Sequence, residues 1–255
     1  CGVVNGRSAA STAALKALNP GVTIVNDPSA RFSNVVYGNL NSTNAIENYG
    51  VSGQLDYDLG PLTFTSITAL RKLNTLSDQD SDFTGADLIG RNWADIGIRT
   101  FTQEFRAATN LDGPFNGLIG AFYFNENVKQ ANQIQWGNVA RSYANLLIQG
   151  ATGGALNIGG APAGDLERLF GGLEAQAAAN PALATRYVGQ FFRPGTGLDE
   201  RYSLKNEAIS LFAQFDFEIM DRLTFTGGIN WTHDKKRFSA DVNSNDVFAG
   251  VNFNA

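Results

Sequence analysis

The stretch LFAQFDFEIMDRLTFTGGINWTHDKKRFS, residues 211–239, decides how the rest of the chain is read. Together with Ile209, the residues Leu211, Ala213, Phe215 and Phe217 alternate with Ser210, Phe212, Gln214, Asp216 and Glu218. After Met220-Asp221-Arg222 the same rhythm returns, with Leu223, Phe225, Gly227, Ile229 and Trp231 set against Thr224, Thr226, Gly228, Asn230, Thr232 and Asp234. Side chains of a strand point alternately to opposite faces, so a period of two predicts two strands, each with one apolar face, joined by a short turn. The stretch also holds the chain's single histidine, His233, beside Trp231, Asp234, Lys235, Lys236 and Arg237. Alternation divides this polar cluster between two faces, with Trp231 and His233 outward and Thr232 and Asp234 inward.

The rhythm recurs upstream. Tyr49, Val51, Gly53, Leu55, Tyr57 and Leu59 alternate with Gly50, Ser52, Gln54, Asp56 and Asp58 before a Gly60-Pro61 break, and LTFTSITALR (62–71) resumes as a second strand. Its facing stays open, since both Phe64 and Ile67 suit the apolar side. RTFTQEFRAAT (99–109) sets Phe101, Gln103, Phe105 and Ala107 against Thr102, Glu104, Arg106 and Ala108. Turn residues follow at Asn110-Leu111-Asp112-Gly113-Pro114, and LIGAFYFNENV returns. Three hairpins are therefore expected near 46–71, 98–129 and 202–239. The strands exceed the ~5–6 residues common in soluble proteins. Short turns at one end alternate with long loops near 1–45, 72–97 and 130–200 at the other. That is the layout of a membrane barrel, whose strands need ~9–11 residues to cross the apolar slab. A loop of about seventy residues would be unusual inside a compact soluble domain. Within it, residues 164–188 carry helix-forming Ala, Leu and Glu, with Asp165 as candidate N-cap and Asn180-Pro181 as a stop or restart.

Composition agrees with this reading. The 255 residues are 43% hydrophobic and only 17% charged, with 18 Phe and 28 Gly, fewer charges than the roughly 25% of soluble domains. The net charge of -5 without a basic run argues against nucleic acid as a partner. The one cysteine, Cys1, allows no internal disulfide and no cysteine zinc site. No window reaches the ~18–20 apolar residues of a membrane helix, which excludes helical membrane proteins and leaves strands as the crossing elements.

Several residues invite chemical readings. His233 lacks a second histidine or a cysteine for a metal site, and reads as an interface residue beside Trp231 in an aromatic belt. Glu104 and Arg106 share a face and read as a pair inside a polar lumen. Glu207, Asp216 and Glu218 form no convincing acid–base pair. The glycines at 150, 153, 154, 159, 160 and 164 lack the phosphate-binding pattern. No nucleophile elbow is present. Catalytic, cofactor-binding and metal-ligating residues are therefore expected to be none, and the protein is not expected to be an enzyme. An outer-membrane phospholipase or protease would need a Ser, a His and a carboxylate grouped at the rim. Ligand contacts remain unassigned, with Trp136, Arg141, Tyr143, Arg186, Tyr187 and Arg193 in the longest loop as contributors.

TFTQEFR (100–106), LTFTGGINWTHDKKRFS (223–239), ISLFAQFDFEI (209–219) and LTFTSITALR (62–71) together resemble strands of TonB-dependent outer-membrane receptors of Gram-negative bacteria. The resemblance covers roughly residues 49–239 in patches and omits the loops. It implies an all-β fold: an antiparallel up-and-down sheet forming a partial slice of a transmembrane β-barrel, with short helices in a long loop. Residues 1–255 would then be part of one barrel domain, about six strands of a twenty-two-stranded wall, with no plug domain or TonB box visible. The implied function is uptake of a ligand such as a ferric siderophore, with a vitamin or glycan as other cargo classes. The implied partners are outer-membrane lipid and, through parts outside this chain, the TonB complex. An adhesin or another structural β-sheet protein is the alternative.

Overall fold

In the computed structural model, residues 9–20, 37–151 and 169–250 are described. Six strands, β1 (Thr43–Asp58), β2 (Leu62–Asp78), β3 (Ile89–Thr109), β4 (Phe115–Trp136), β5 (Gly197–Met220) and β6 (Leu223–Ser244), form one sheet. Their order in the sheet is their order in the chain, every neighbouring pair is antiparallel, and among the described residues β1 and β6 are the edges, each paired on one side. The fold is thus an all-β, up-and-down sheet, open rather than closed. Among the described residues four helices accompany it: α1 (Ala9–Leu18), α2 (Ala140–Ala151), α3 (Phe170–Ala178) and α4 (Pro181–Tyr187).

The three tight connections lie at one end. Gly60 takes the left-handed conformation (φ +82°) that lacks a Cβ penalty, and its N–H donates to Asp58 Oδ1 at 2.7 Å. Residues 110–114 are held by Asn116, whose Oδ1 accepts from Leu111 N at 2.7 Å. Asp221-Arg222 closes β5 to β6, with Arg222 at φ 71° and a register shift between Glu218 and Met220.

The strands run 16 to 24 residues, further toward the loop end than expected. β2 continues to Asp78 and β3 starts at Ile89, so the loop placed at 72–97 shrinks to residues 79–88. The loop placed at 130–200 shrinks to 137–196, and the segment 1–45 contains helix α1 and the start of β1. The reason is a change of face. Up to Leu70 the largest apolar residues of β2, Leu62, Phe64 and Leu70, share one phase apart from Ile67, whereas beyond it the polar Lys72 takes that face and Leu73 continues the apolar run on the opposite one, with unbroken register. A search for a single apolar face ends the strand where the phase changes.

No side chain of β1–β4 or β6 is buried. The buried apolar residues among those described, Leu15, Ala86, Ala140, Leu169, Phe170 and Ala177, all sit in the helices and loops. Leu15 of α1 and Ala86 form a small core with Leu88, Val139 and Tyr143. In the long loop Asn180 caps α4 by accepting from Ala182 N at 3.0 Å, with Pro181 at the first helical position. The restart expected at Asn180-Pro181 is therefore present, whereas Asp165 lies outside the described residues. α1 and α2 were not expected.

Candidate functional site

Directly paired residues share a face, so the registers assign every strand residue to one of two surfaces. One surface carries Tyr49, Val51, Leu55 and Tyr57 of β1, Phe64 and Leu70 of β2, and Phe101 and Phe105 of β3. It continues with Phe115, Ile119 and Tyr123 of β4, Ile209, Leu211, Phe215 and Phe217 of β5, and Phe225, Ile229 and Trp231 of β6. The open facing of β2 resolves here: Phe64 belongs to this surface and Ile67 to the other. In the inner strands the exposed large apolar side chains, among them Phe64, Leu70, Phe105, Ile119, Ile209 and Leu211, belong almost entirely to this surface. Ile67, Phe122, Phe124, Val128, Leu204 and Phe212, on the opposite surface, are half-buried. Side chains splay apart on a convex face and crowd on a concave one, so the sheet curves with the apolar belt outside.

The belt spans about nine residues per strand, for example Tyr49 to Tyr57 or Ile209 to Phe217. Its upper edge crosses the rows of paired residues obliquely. On β1 it ends at Tyr49, whereas Trp231 on β6 falls in the row of Leu55, through Leu211, Ala121, Phe105 and Ser66. That drift is ~20 Å along the strands over five spacings of ~4.8 Å, an angle of about 40°, the tilt of barrel strands against a horizontal slab. The polar residues inside the belt satisfy one another. Gln103 Oε1 accepts from Thr68 Oγ1 at 2.6 Å, and Gln103 Nε2 donates to Ser66 Oγ at 3.1 Å and to the Glu104 carbonyl at 3.2 Å. Trp231 and His233 share the convex face with stacked rings 6.3 Å apart, while Thr232 turns to the concave face and bonds Ser210 at 2.8 Å.

Beyond the belt the convex surface becomes charged. One row across the six strands reads Tyr49, Lys72, Arg99, Asn127, Lys205, Arg237. The concave surface changes in the opposite sense. Near the turns it mixes polar and apolar groups, with Glu104 paired to Arg106 and Asp216 accepting from Thr226 Oγ1 at 2.6 Å beside Ile67, Leu118, Phe122 and Phe212. Glu207 is on the convex face, whereas Asp216 and Glu218 share the concave one. Higher up, Leu73, Ile98, Val128, Leu204 and Phe238 form one continuous apolar row. Above that row Tyr202 stacks on Phe238 at 6.1 Å. Partial burial, then the Glu200 charge and its hydrogen bond, hold the Tyr202 phenol above the usual tyrosine range.

The loop residues singled out in the sequence are mostly committed to packing. Trp136 donates from Nε1 to Asp246 at 2.8 Å and sets its ring edge-on to Phe192 at 4.9 Å. Arg141 pairs with Glu174 at 2.7 Å and lies over the Phe170 ring. Tyr143 packs on the Leu15–Ala86 core. Arg186 is exposed and lies over Tyr187, which stacks on Phe191. Arg193 is exposed, and its carbonyl accepts from Thr196. Trp136, Arg141 and Tyr143 therefore build the loop platform, and only Arg186 and Arg193 of the six present an exposed cation. The sequence reading missed the apolar concave row, whose signal is the resumption of alternation in Leu73, Ile96, Ile98, Val128 and Leu204 with the opposite phase. Among the described residues no three His, Cys, Asp or Glu side chains converge as for a metal ion, and no helix is long and apolar enough to cross a membrane.

No family model matches the chain, and no curated protein matches it in sequence. Among solved structures, the ferric yersiniabactin uptake receptor FyuA from Yersinia pestis is similar at 14% identity with a TM-score of 0.48, over 80% of this chain and 22% of that one. The chain thus spans about a fifth of that receptor's length.

Proposed function

We propose that the chain is a section of the wall of an outer-membrane transport barrel, in a receptor of the TonB-dependent kind that takes up a ligand such as a ferric siderophore. The observation that carries this reading is the convex apolar belt, nine residues deep, with an edge inclined about 40° to the rows of paired residues. At half exposure each large apolar side chain left in water costs about 1 kcal/mol. Ten such residues would consume a stability comparable to that of a whole domain, ~5–15 kcal/mol. Lipid removes that cost, and the mutual bonding of Ser66, Thr68 and Gln103 removes most of what lipid would impose on polar groups. The concave face then lines the passage. Its apolar row at the loop end, with the aromatic ring of Tyr202 above it, receives the ligand, and the polar surface around Glu104 and Arg106 lies further inward. Energy coupling belongs to parts of the receptor outside these residues, and the function is transport rather than catalysis.

The test is uptake in the source bacterium with the gene deleted and then restored. The account predicts loss of energy-dependent accumulation of one ferric chelate, with small porin-permeant nutrients unaffected. Unchanged accumulation of ferric chelates, cobalamin and oligosaccharides alike would contradict it.

A further inference from the structure

Where the belt ends, the convex face holds a cradle of about 460 Å³ lined by Tyr49, Leu70, Lys72, Arg99, Phe101 and Asn127, among others. Lys72 and Arg99 are direct cross-strand partners, an arrangement that like charges disfavour. Among the described residues neither forms an ion pair. Lys72 Nζ lies over the Tyr49 ring at 5.5 Å, and Arg99 is exposed. The flanking carboxylates are occupied: Glu47 accepts from Asn74 Nδ2 at 3.3 Å, and Glu207 accepts from Asn125 Nδ2 at 3.3 Å and faces Lys235 across the strand pair. The same row continues through Asn127 to Lys205 and Arg237, so four cations stand in line with no carboxylate among them.

We infer that the Lys72–Arg99 end of this row, which lies beside the belt edge at Tyr49, binds the phosphorylated headgroup of a membrane lipid. The inference rests on the proposed membrane location. Charge decides the headgroup: two adjacent unpaired cations beside a carboxamide donor match a phosphate, Arg through a paired fork and Lys as a point charge. Position decides that the phosphate belongs to a lipid. Leu70 and Phe101, one row toward the turns, begin the apolar belt, so acyl chains below the headgroup lie along them. The Tyr49 ring sits at the boundary, where aromatic rings partition. Cations at this height bend their apolar stems along the belt and keep the charge at the headgroup level.

The test uses the purified protein in vesicles of phosphatidylcholine with and without phosphatidic acid. Lipids retained after delipidation are measured by mass spectrometry for the unaltered protein, Lys72→Gln/Arg99→Gln, and the turn-end control Arg222→Gln. The account predicts selective retention of phosphatidic acid, reduced at least ten-fold in the double variant and unchanged in the control, with equal β-sheet signal in all three. Insertion into phosphatidylcholine without any preference for phosphatidic acid overturns the lipid site and leaves the membrane reading intact. Failure to insert into any vesicle overturns the membrane reading, and the site with it. Retention that survives in the double variant, or equal competition by inorganic phosphate at the same concentration, also overturns the site.

Discussion

Gln103 is the residue on which the belt's tolerance of polar groups turns. It stands on the convex face between Phe101 and Phe105, and its amide engages Thr68, Ser66 and a backbone carbonyl together. Gln103→Ala is predicted to leave both hydroxyls without their partner and to cost about 1–3 kcal/mol, read by denaturant unfolding in lipid vesicles. Replacing all three together, as Ser66→Ala, Thr68→Val and Gln103→Leu, is predicted to come back close to the unaltered stability, because no buried polar group is then left unpaired. His233 shows how a single residue misleads when read alone. Asp234 and Lys236 stand one and three residues after it yet lie on the opposite face, bonded to each other at 3.1 Å, while His233 stacks with Trp231. Alternation alone was sufficient to separate them.

At the scale of the strand, the informative feature is the exchange of apolar and polar faces along one continuous ladder. In β5 the apolar positions Ile209, Leu211, Phe215 and Phe217 are convex, whereas Leu204 and Tyr202 are concave, with no irregularity in the register between them. This exchange predicts position-dependent costs within one strand. Ile229→Arg, in the belt, is expected to destabilise by about 2–4 kcal/mol, while Thr232→Arg, on the concave face across from Ser210 and in the row of Glu104, is expected to stay within about 1 kcal/mol. Equilibrium folding into vesicles measures both. The hairpins, their turns and the strand type were legible in the sequence because the turn-proximal halves of β1, β3, β5 and β6 alternate, and the turns join them to β2 and β4, whose apolar residues occupy both faces. The loop-proximal halves were not, since Leu73 and Val128 resume the rhythm out of phase and the Gln/Asn-rich run 130–135 has little hydrophobic contrast. α2 also escaped, although Ala140, Tyr143, Ala144, Leu147 and Ala151 recur at helical spacing: its buried residues are Ala140 and the polar Asn145, whose carboxamide accepts from Leu169 N at 2.8 Å.

For the whole molecule, the distribution of burial carries the account. The sheet has no buried core of its own, and the residues that are buried gather in the platform of helices and loops at one end. In the proposed reading the apolar convex face lies against lipid, and the edges at β1 and β6, open among the described residues, pair with further strands. The aromatic rim at Tyr49 and Trp231, with Lys72 and Arg99 beside Tyr49, sets the height at which that medium ends. The most direct measurement is a nitroxide scan of residues 225–234 in vesicles, one cysteine at a time in a Cys1→Ser background, comparing collision with oxygen and with an aqueous nickel chelate. The account predicts a period of two, with the belt positions Phe225, Gly227, Ile229 and Trp231 oxygen-accessible and Thr226, Gly228, Asn230 and Thr232 reached by the chelate. Uniform chelate access along the strand, or the same period with the opposite phase, would contradict it.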